Sequence, residues 1–227
     1  MALRSRARRG ARPRRRSAAR RIPLVVGTNC ILTCIQSQAR TLLRRPERQA
    51  QLRRAAATAF ARTGFAGTSM DDVAAEAGVS RLIVYRNFAT KADLYRAVLT
   101  GVRDRLRDEF LAGFERRAEE PGFAVHAMVV VAREDPDGFR LLWRHAAREP
   151  EFAAFADDFH DRAVSAVDAL VGALLPDPAL HRWATALSVD YVVQAVLGWM
   201  DHGDPARDDE LERRVTEGLV ALYPTWL

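Results

Sequence analysis

The sequence predicts an all-α protein in two parts: a small N-terminal three-helix unit holding a helix-turn-helix, and a larger helical domain behind it. Three observations carry that prediction. Apolar residues recur at helical spacing from Glu47 nearly to the C-terminus, and no stretch shows sustained period-two alternation. Residues 68–91, TSMDDVAAEAGVSRLIVYRNFATK, set a cap, a glycine, a second cap and an apolar pair in helix-turn-helix order. Charge is also polarised: residues 1–46 hold 13 Arg and no acid, residues 47–91 seven basic and four acidic groups, and residues 92–227 fifteen basic and 25 acidic groups. The net +6 thus hides a basic end, suited to nucleic acid, and an acidic body.

Composition narrows the class further. At 48% hydrophobic, the 227 residues can bury a proper core. No apolar run approaches the roughly 20 residues of a membrane-spanning helix, so a cytoplasmic protein without a membrane partner is expected. The only cysteines, Cys30 and Cys34, lie close together in the N-terminal region and make no disulfide scaffold.

Residues 1–46 form an Arg-rich extension, with ten Arg in the first 21 residues and no periodic apolar pattern. The uncharged stretch 22–35 and the small residues at Ser37 and Ala39 imitate a secretory signal. A phosphate-gripping basic arm, an export signal and a translation start further downstream all remain open.

The helix-turn-helix unit is expected over 47–92 and the larger domain over 93–227. From Glu47, Leu52, Ala56, Ala59 and Phe60 line one helical face, and Gly64 ends that helix. Thr68 and Ser69 are capping residues, with Asp71 and Asp72 at capping-box distance. Val73, Ala74 and Ala77 give the next helix its apolar side, and Gly78 marks a left-handed turn. Ser80 caps a further helix in which Val84 and Phe88 fall four residues apart. Thr90 and Asp93 form another capping box, opening a long helix from 91 to about 116 with an apolar side from Leu94 to Phe110. Breaks at Pro121-Gly122, Pro136-Asp137-Gly138, Pro150, Pro176-Asp177-Pro178 and Gly203-Asp204-Pro205 divide the remainder into helices near 123–134, 137–147, 151–175, 178–201 and 208–222.

The ordered set Thr68, Asp72-Val73-Ala74, Ala77-Gly78-Val79-Ser80, Val84-Tyr85, Phe88, Lys91 and Leu94 resembles the TetR family of bacterial transcriptional regulators. The resemblance implies a sequence-specific DNA-binding protein, most often a repressor released from its operator by a small molecule; a DNA-binding activator or architectural protein without an effector is the alternative. It places the recognition helix at Ser80–Tyr85. Arg81 is expected to reach a base edge, because arginine pairs bidentately with guanine. Tyr85 matches the family's phosphate-contacting tyrosine, and Arg86 is expected on the backbone. Where the family often has a small residue and then a hydroxyl, this chain has Leu82-Ile83; Ile83 either packs on a thymine methyl or joins the core. Lys91 sits at a helix N-terminus, where the macrodipole disfavours a cation, and a bound phosphate would relieve that conflict. The backbone N–H groups of Thr68 and Ser69 are assigned to phosphate by the same logic.

The resemblance also implies a homodimer through the helices near 178–201 and 208–222, on a near-palindromic operator with recognition helices about 34 Å apart. It implies a pocket for a small apolar or aromatic effector, for which Phe123, His126, Met128, Phe139, Trp143, His145, Phe159, Tyr191, Gln194 and Trp199 are the candidates. Asp157, His160 and Asp161 fall on one helical turn but fit a solvated acidic face better than a metal site. No GxSxG, CxxC, HExxH or phosphate-cradling glycine loop is present, so neither an enzyme nor a cofactor is expected.

Overall fold

The computed structural model describes residues 44–117, 122–171 and 177–226. The expected extension over 1–46 falls, up to residue 43, outside the described residues. The helices run α1 Arg45–Gly67, α2 Met70–Glu76, α3 Arg81–Asn87, α4 Lys91–Arg117, α5 Phe123–Glu134, α6 Pro136–Arg140, α7 Ala153–Val171, α8 Pro178–His202 and α9 Asp208–Leu222. Among the described residues there is no strand, so the fold is all-α.

Local chemistry sets most of the boundaries. Glu47 returns its carboxylate to the Arg44 N–H at 2.8 Å, closing the start of α1. Gly64, at φ 75°, breaks α1 three residues before its last turn ends. Asp135 caps α6, its carboxylate accepting the Gly138 N–H at 2.9 Å, and Pro136 takes the first helical position, where no N–H is needed. The single helix expected near 137–147 is divided instead: α6 ends at Arg140, a π turn covers Leu141–His145, and a 3-10 turn covers Ala146–Arg148. The helix expected from 151 begins at Ala153, behind a fully buried Phe152.

One buried cluster runs from Leu52 of α1 to Val215 of α9. α1 packs on α4, α4 on α5, α7 on α8, and α9 on both α5 and α8. Where α1 meets the larger part, four rings interlock: Phe60 and Phe65 stand edge-on to Tyr95 at 4.9 and 5.1 Å, and Phe152 lies 4.4 Å from Tyr95 and 5.0 Å from Phe65. Such pairs add about 0.5–1.5 kcal/mol each beyond the area they bury. Burial and the nearby Glu149 carboxylate push the Tyr95 hydroxyl well above its ordinary pKa, so it stays neutral. Thr58 of α1 also donates to Asp137 at 2.8 Å, tying α1 to α6. The helix-turn-helix is thereby held on the body by rings on one side and a hydrogen bond on the other.

Candidate functional site

The helix-turn-helix is built by its caps. Ser69 is the N-cap of α2: its Oγ accepts the Asp72 N–H at 3.2 Å, and Asp72 accepts the Ser69 N–H at 2.8 Å. The Ser69 hydroxyl, which donates to Asp72 Oδ2 at 2.7 Å, and then the Ser69 N–H hold the Asp72 carboxyl below its usual range. At the other end, Gly78 adopts φ 63°, donating to the Ala75 carbonyl at 3.1 Å while Val79 donates to Ala74 at 3.0 Å. This is the paired bonding of a Schellman turn, which a left-handed residue makes possible. Gln51 of α1 braces the turn by donating to the Ala77 carbonyl at 3.0 Å. Ser80 stands at the start of α3 in extended conformation, but its side chain makes no cap bond.

α3 buries Val84 and Phe88 and turns its other side outward. Arg81, Leu82, Tyr85 and Arg86 are exposed, Leu82 at 58% and Tyr85 at 41%, whereas Ile83 is half-buried. The apolar side chain offered to a partner is therefore Leu82 more than Ile83. Arg81 is not loose: its Nη1 donates to Asp71 at 2.9 Å, its Nη2 to the Tyr85 hydroxyl at 3.3 Å, and its guanidinium stacks over the Tyr85 ring at 5.1 Å. Three of its five N–H donors are left for a partner. The clasp sits on the outward face of a helix locked from behind.

Two phosphate assignments meet competing partners. Lys91 Nζ donates to the Phe65 carbonyl at 2.7 Å and to the Ala66 carbonyl at 3.4 Å, and lies 4.5 Å over the Phe65 ring. Its charge is answered by the carboxyl end of α1, a partner 26 residues away, so the unfavourable dipole at α4 does not require a phosphate. The Thr68 hydroxyl is buried and donates to the Gly64 carbonyl at 2.7 Å, and the Ser69 N–H is already taken by Asp72.

A cavity of about 920 Å³ opens in the body between α4, α5, α7, α8 and α9. Its walls are mainly apolar, with Leu106 and Phe110 from α4, Phe123 and Met128 from α5, and Phe159 from α7.

Residues 52–98, from the middle of α1 into α4, match the family described as bacterial regulatory proteins, tetR family. Over this segment the chain is similar to the TetR family. The transcriptional activator FasR of Mycolicibacterium smegmatis is 36% identical over 121 residues, covering 49% of this chain and 53% of that protein. The transcriptional regulator YfiR of Bacillus subtilis is 42% identical over 62 residues, covering 27% of this chain and 30% of that one. The chain thus spans about half or less of these relatives. A tetR-family regulator from Streptomyces coelicolor superposes with a TM-score of 0.58 at 23% identity, over 80% of this chain and 84% of that one. AibR, solved with isovaleryl coenzyme A and operator DNA, superposes with a TM-score of 0.56 at 16% identity, over 74% and 96% of the two chains.

The ten pocket candidates divide. Phe123, Met128, Trp143 and Phe159 line the cavity. His126 instead points its Nδ1 at Glu212 of α9, 3.0 Å away. Phe139 is fully buried beside Trp143, their rings 6.4 Å apart. His145 lies in the π turn, where burial, helped by Arg148 and Arg144, lowers its pKa and favours the neutral ring. Tyr191 sets its hydroxyl over Gly218 of α9, Gln194 is exposed, and Trp199 donates to Asp208 at 2.8 Å. Of the acidic-turn residues, His160 pairs with Asp190 at 3.0 Å. No group of three metal-ligating side chains occurs among the described residues.

Lining residues that the sequence did not single out include Arg103, Arg107, Arg162, Ser188 and Tyr223. One signal was available: the stripe on α7 carries Ala163 and Ala166 between Phe159 and Leu170, and all four line the cavity. Small residues inside an apolar stripe leave space rather than fill it.

Proposed function

We propose that this protein is a sequence-specific DNA-binding transcriptional regulator that works as a twofold dimer, a repressor whose grip on its operator is released by a small molecule. The observation that carries the reading is α3, which presents Arg81, Leu82, Tyr85 and Arg86 outward while Val84 and Phe88 anchor it from behind. A helix held so firmly can enter a major groove without rearranging. For the dimer, Leu180, Trp183 and Leu187 make an outward apolar stripe on α8. For the effector, the support is the apolar cavity between α4, α5, α7, α8 and α9, whose size suits a small ligand. No helix among the described residues is long and apolar enough to cross a membrane, and a cytoplasmic setting fits a DNA-bound regulator.

Activation is the second reading, and the similarity to FasR, a transcriptional activator, favours it. Selecting bound sequences from a random DNA pool tests the main proposal. A defined palindrome is expected; binding with steep salt dependence but no sequence preference would defeat it. A reporter placed behind the selected site then separates repression from activation.

A further inference from the structure

We propose that the cavity takes an amphipathic anion, a hydrocarbon chain lying against the apolar walls and an anionic head held by Arg103, Arg107 and Arg162. The inference rests on the sensor reading above and names the chemistry of its ligand. Its starting point is the charge of the lining. Three arginines border the cavity, and the described residues that line it include no Asp or Glu. Arg103 and Arg107 stand four residues apart on one side of α4, and Arg162 comes from α7.

Each arginine is steadied by a carboxylate that does not line the cavity. Arg103 gives Nε and Nη2 to Asp104 at 3.0 and 2.8 Å, Arg107 gives the same pair to Asp108 at 3.1 and 2.8 Å, and Arg162 gives them to Asp158 at 2.8 and 3.0 Å. Arg103 also lies 5.4 Å over the Phe155 ring. Among the described contacts, Nη1 of Arg103 and Nη1 of Arg162 have no protein acceptor. A guanidinium fixed on one edge with donors left on another is suited to carboxylate or phosphate oxygens.

Of the other polar groups in the lining, Ser188 and Tyr223 are already partnered, while the buried Trp143 Nε1 has no acceptor among the described residues. Ser188 and Tyr223 bond to each other at 3.0 Å, and Ser188 also donates to the Ala184 carbonyl at 2.7 Å. The walls of Leu, Val, Ala, Met and Phe offer little to orient a densely functionalised body but can accept a flexible hydrocarbon. At about 920 Å³ the space lies near the top of the range for small-molecule sites, and a lone small anion would leave it largely empty. A free fatty acid and its coenzyme A thioester share this chemistry.

The test uses the full chain with palmitate, hexadecanol and palmitoyl-coenzyme A, each below its aggregation threshold. Binding is followed by thermal shift and by quenching of the Trp143 signal, with Trp143→Phe as the assignment control. One or both anions should bind on the order of tenfold more tightly than the alcohol, as one charge-assisted contact implies, and Arg162→Gln and Arg103→Gln should each erase most of that difference. Whether the acid or the thioester binds more tightly identifies the source of the head group. If the alcohol binds as well as the anions and still releases DNA from the selected site, the anion assignment falls while the sensor reading stands. An anion preference that survives both arginine substitutions overturns the assignment of the head-group site. Failure of all three probes to bind overturns the amphipathic ligand; if no small molecule releases the DNA either, the sensor reading fails separately.

Discussion

Lys91, the first residue of α4, donates to the backbone carbonyl of Phe65 at 2.7 Å and rests over that residue's own ring at 4.5 Å. A single side chain thus closes the carboxyl end of α1 and locks α4 against it. The lone lysine in a chain with 34 arginines holds a position where a compact ammonium can meet two carbonyls, 2.7 and 3.4 Å away, at once.

Replacing Lys91 with Ala should cost about 1–2 kcal/mol of folding stability, the order expected for a charge-assisted bond to the partly buried Phe65 carbonyl. Urea unfolding measures it. If Lys91 serves only a phosphate, Lys91→Ala will leave the unfolding midpoint unchanged and weaken DNA binding alone.

At the recognition helix, Arg81→Ala should relax preference at one base pair of each half-site and cost about 1–3 kcal/mol against the preferred sequence. Tyr85→Phe should weaken binding to every sequence alike. Competition binding with single-base operator variants separates the two patterns. Uniform loss on Arg81→Ala would leave it a backbone contact.

Asp135 makes stability depend on pH. Burial pushes its carboxyl above the usual carboxylate range, and the nearby Asp137 adds to the rise, while the Gly138 N–H offsets only part of it. An acid whose folded-state pKa is raised contributes fully below its unfolded value and loses that contribution as pH rises through the raised one. Asp135→Asn keeps an acceptor for the Gly138 N–H without the charge. It should therefore be more stable than the parent at neutral pH and nearly equal to it below about pH 4, the unfolded carboxylate range. Equal differences at both pH values would show that burial of the charge is not the cause.

Trp183 is 51% exposed on α8 and stands edge-on to Trp226 at 5.4 Å. Trp183→Glu should convert the protein to a monomer in light scattering and abolish high-affinity binding to a two-half-site operator. A variant that stays dimeric would move the interface away from this stripe.

What the sequence disclosed was local. Ser69–Asp72, Thr90–Asp93, Gly78 and the Val84–Phe88 pair act within a few residues of one another, and all four do in the structure what their spacing implies. Lys91 and His126 were harder, because their partners lie 26 and 86 residues away. An apolar stripe also shows that a face is buried without showing which neighbour buries it. Phe139 and Phe159 look alike in sequence, yet one fills the core and the other borders a cavity. The arginines of the cavity were hidden for a related reason: on an amphipathic helix a charged residue reads as solvated until the opposite wall is known.

α4 is a single rod with different attachments at its two ends. Lys91 and Tyr95 fasten one end to α1 and its rings, while Arg103, Leu106, Arg107 and Phe110 form cavity wall further along. From Lys91 to Phe110 is about 28 Å of continuous helix at the standard rise, too stiff to bend under a small load. Were α4 to move as one body, widening the cavity near Phe110 would load the bond between the Lys91 ammonium and the Phe65 carbonyl of α1. In the proposed dimer, the spacing of the two reading helices would then follow how full the cavity is, without any change in the reading helices themselves.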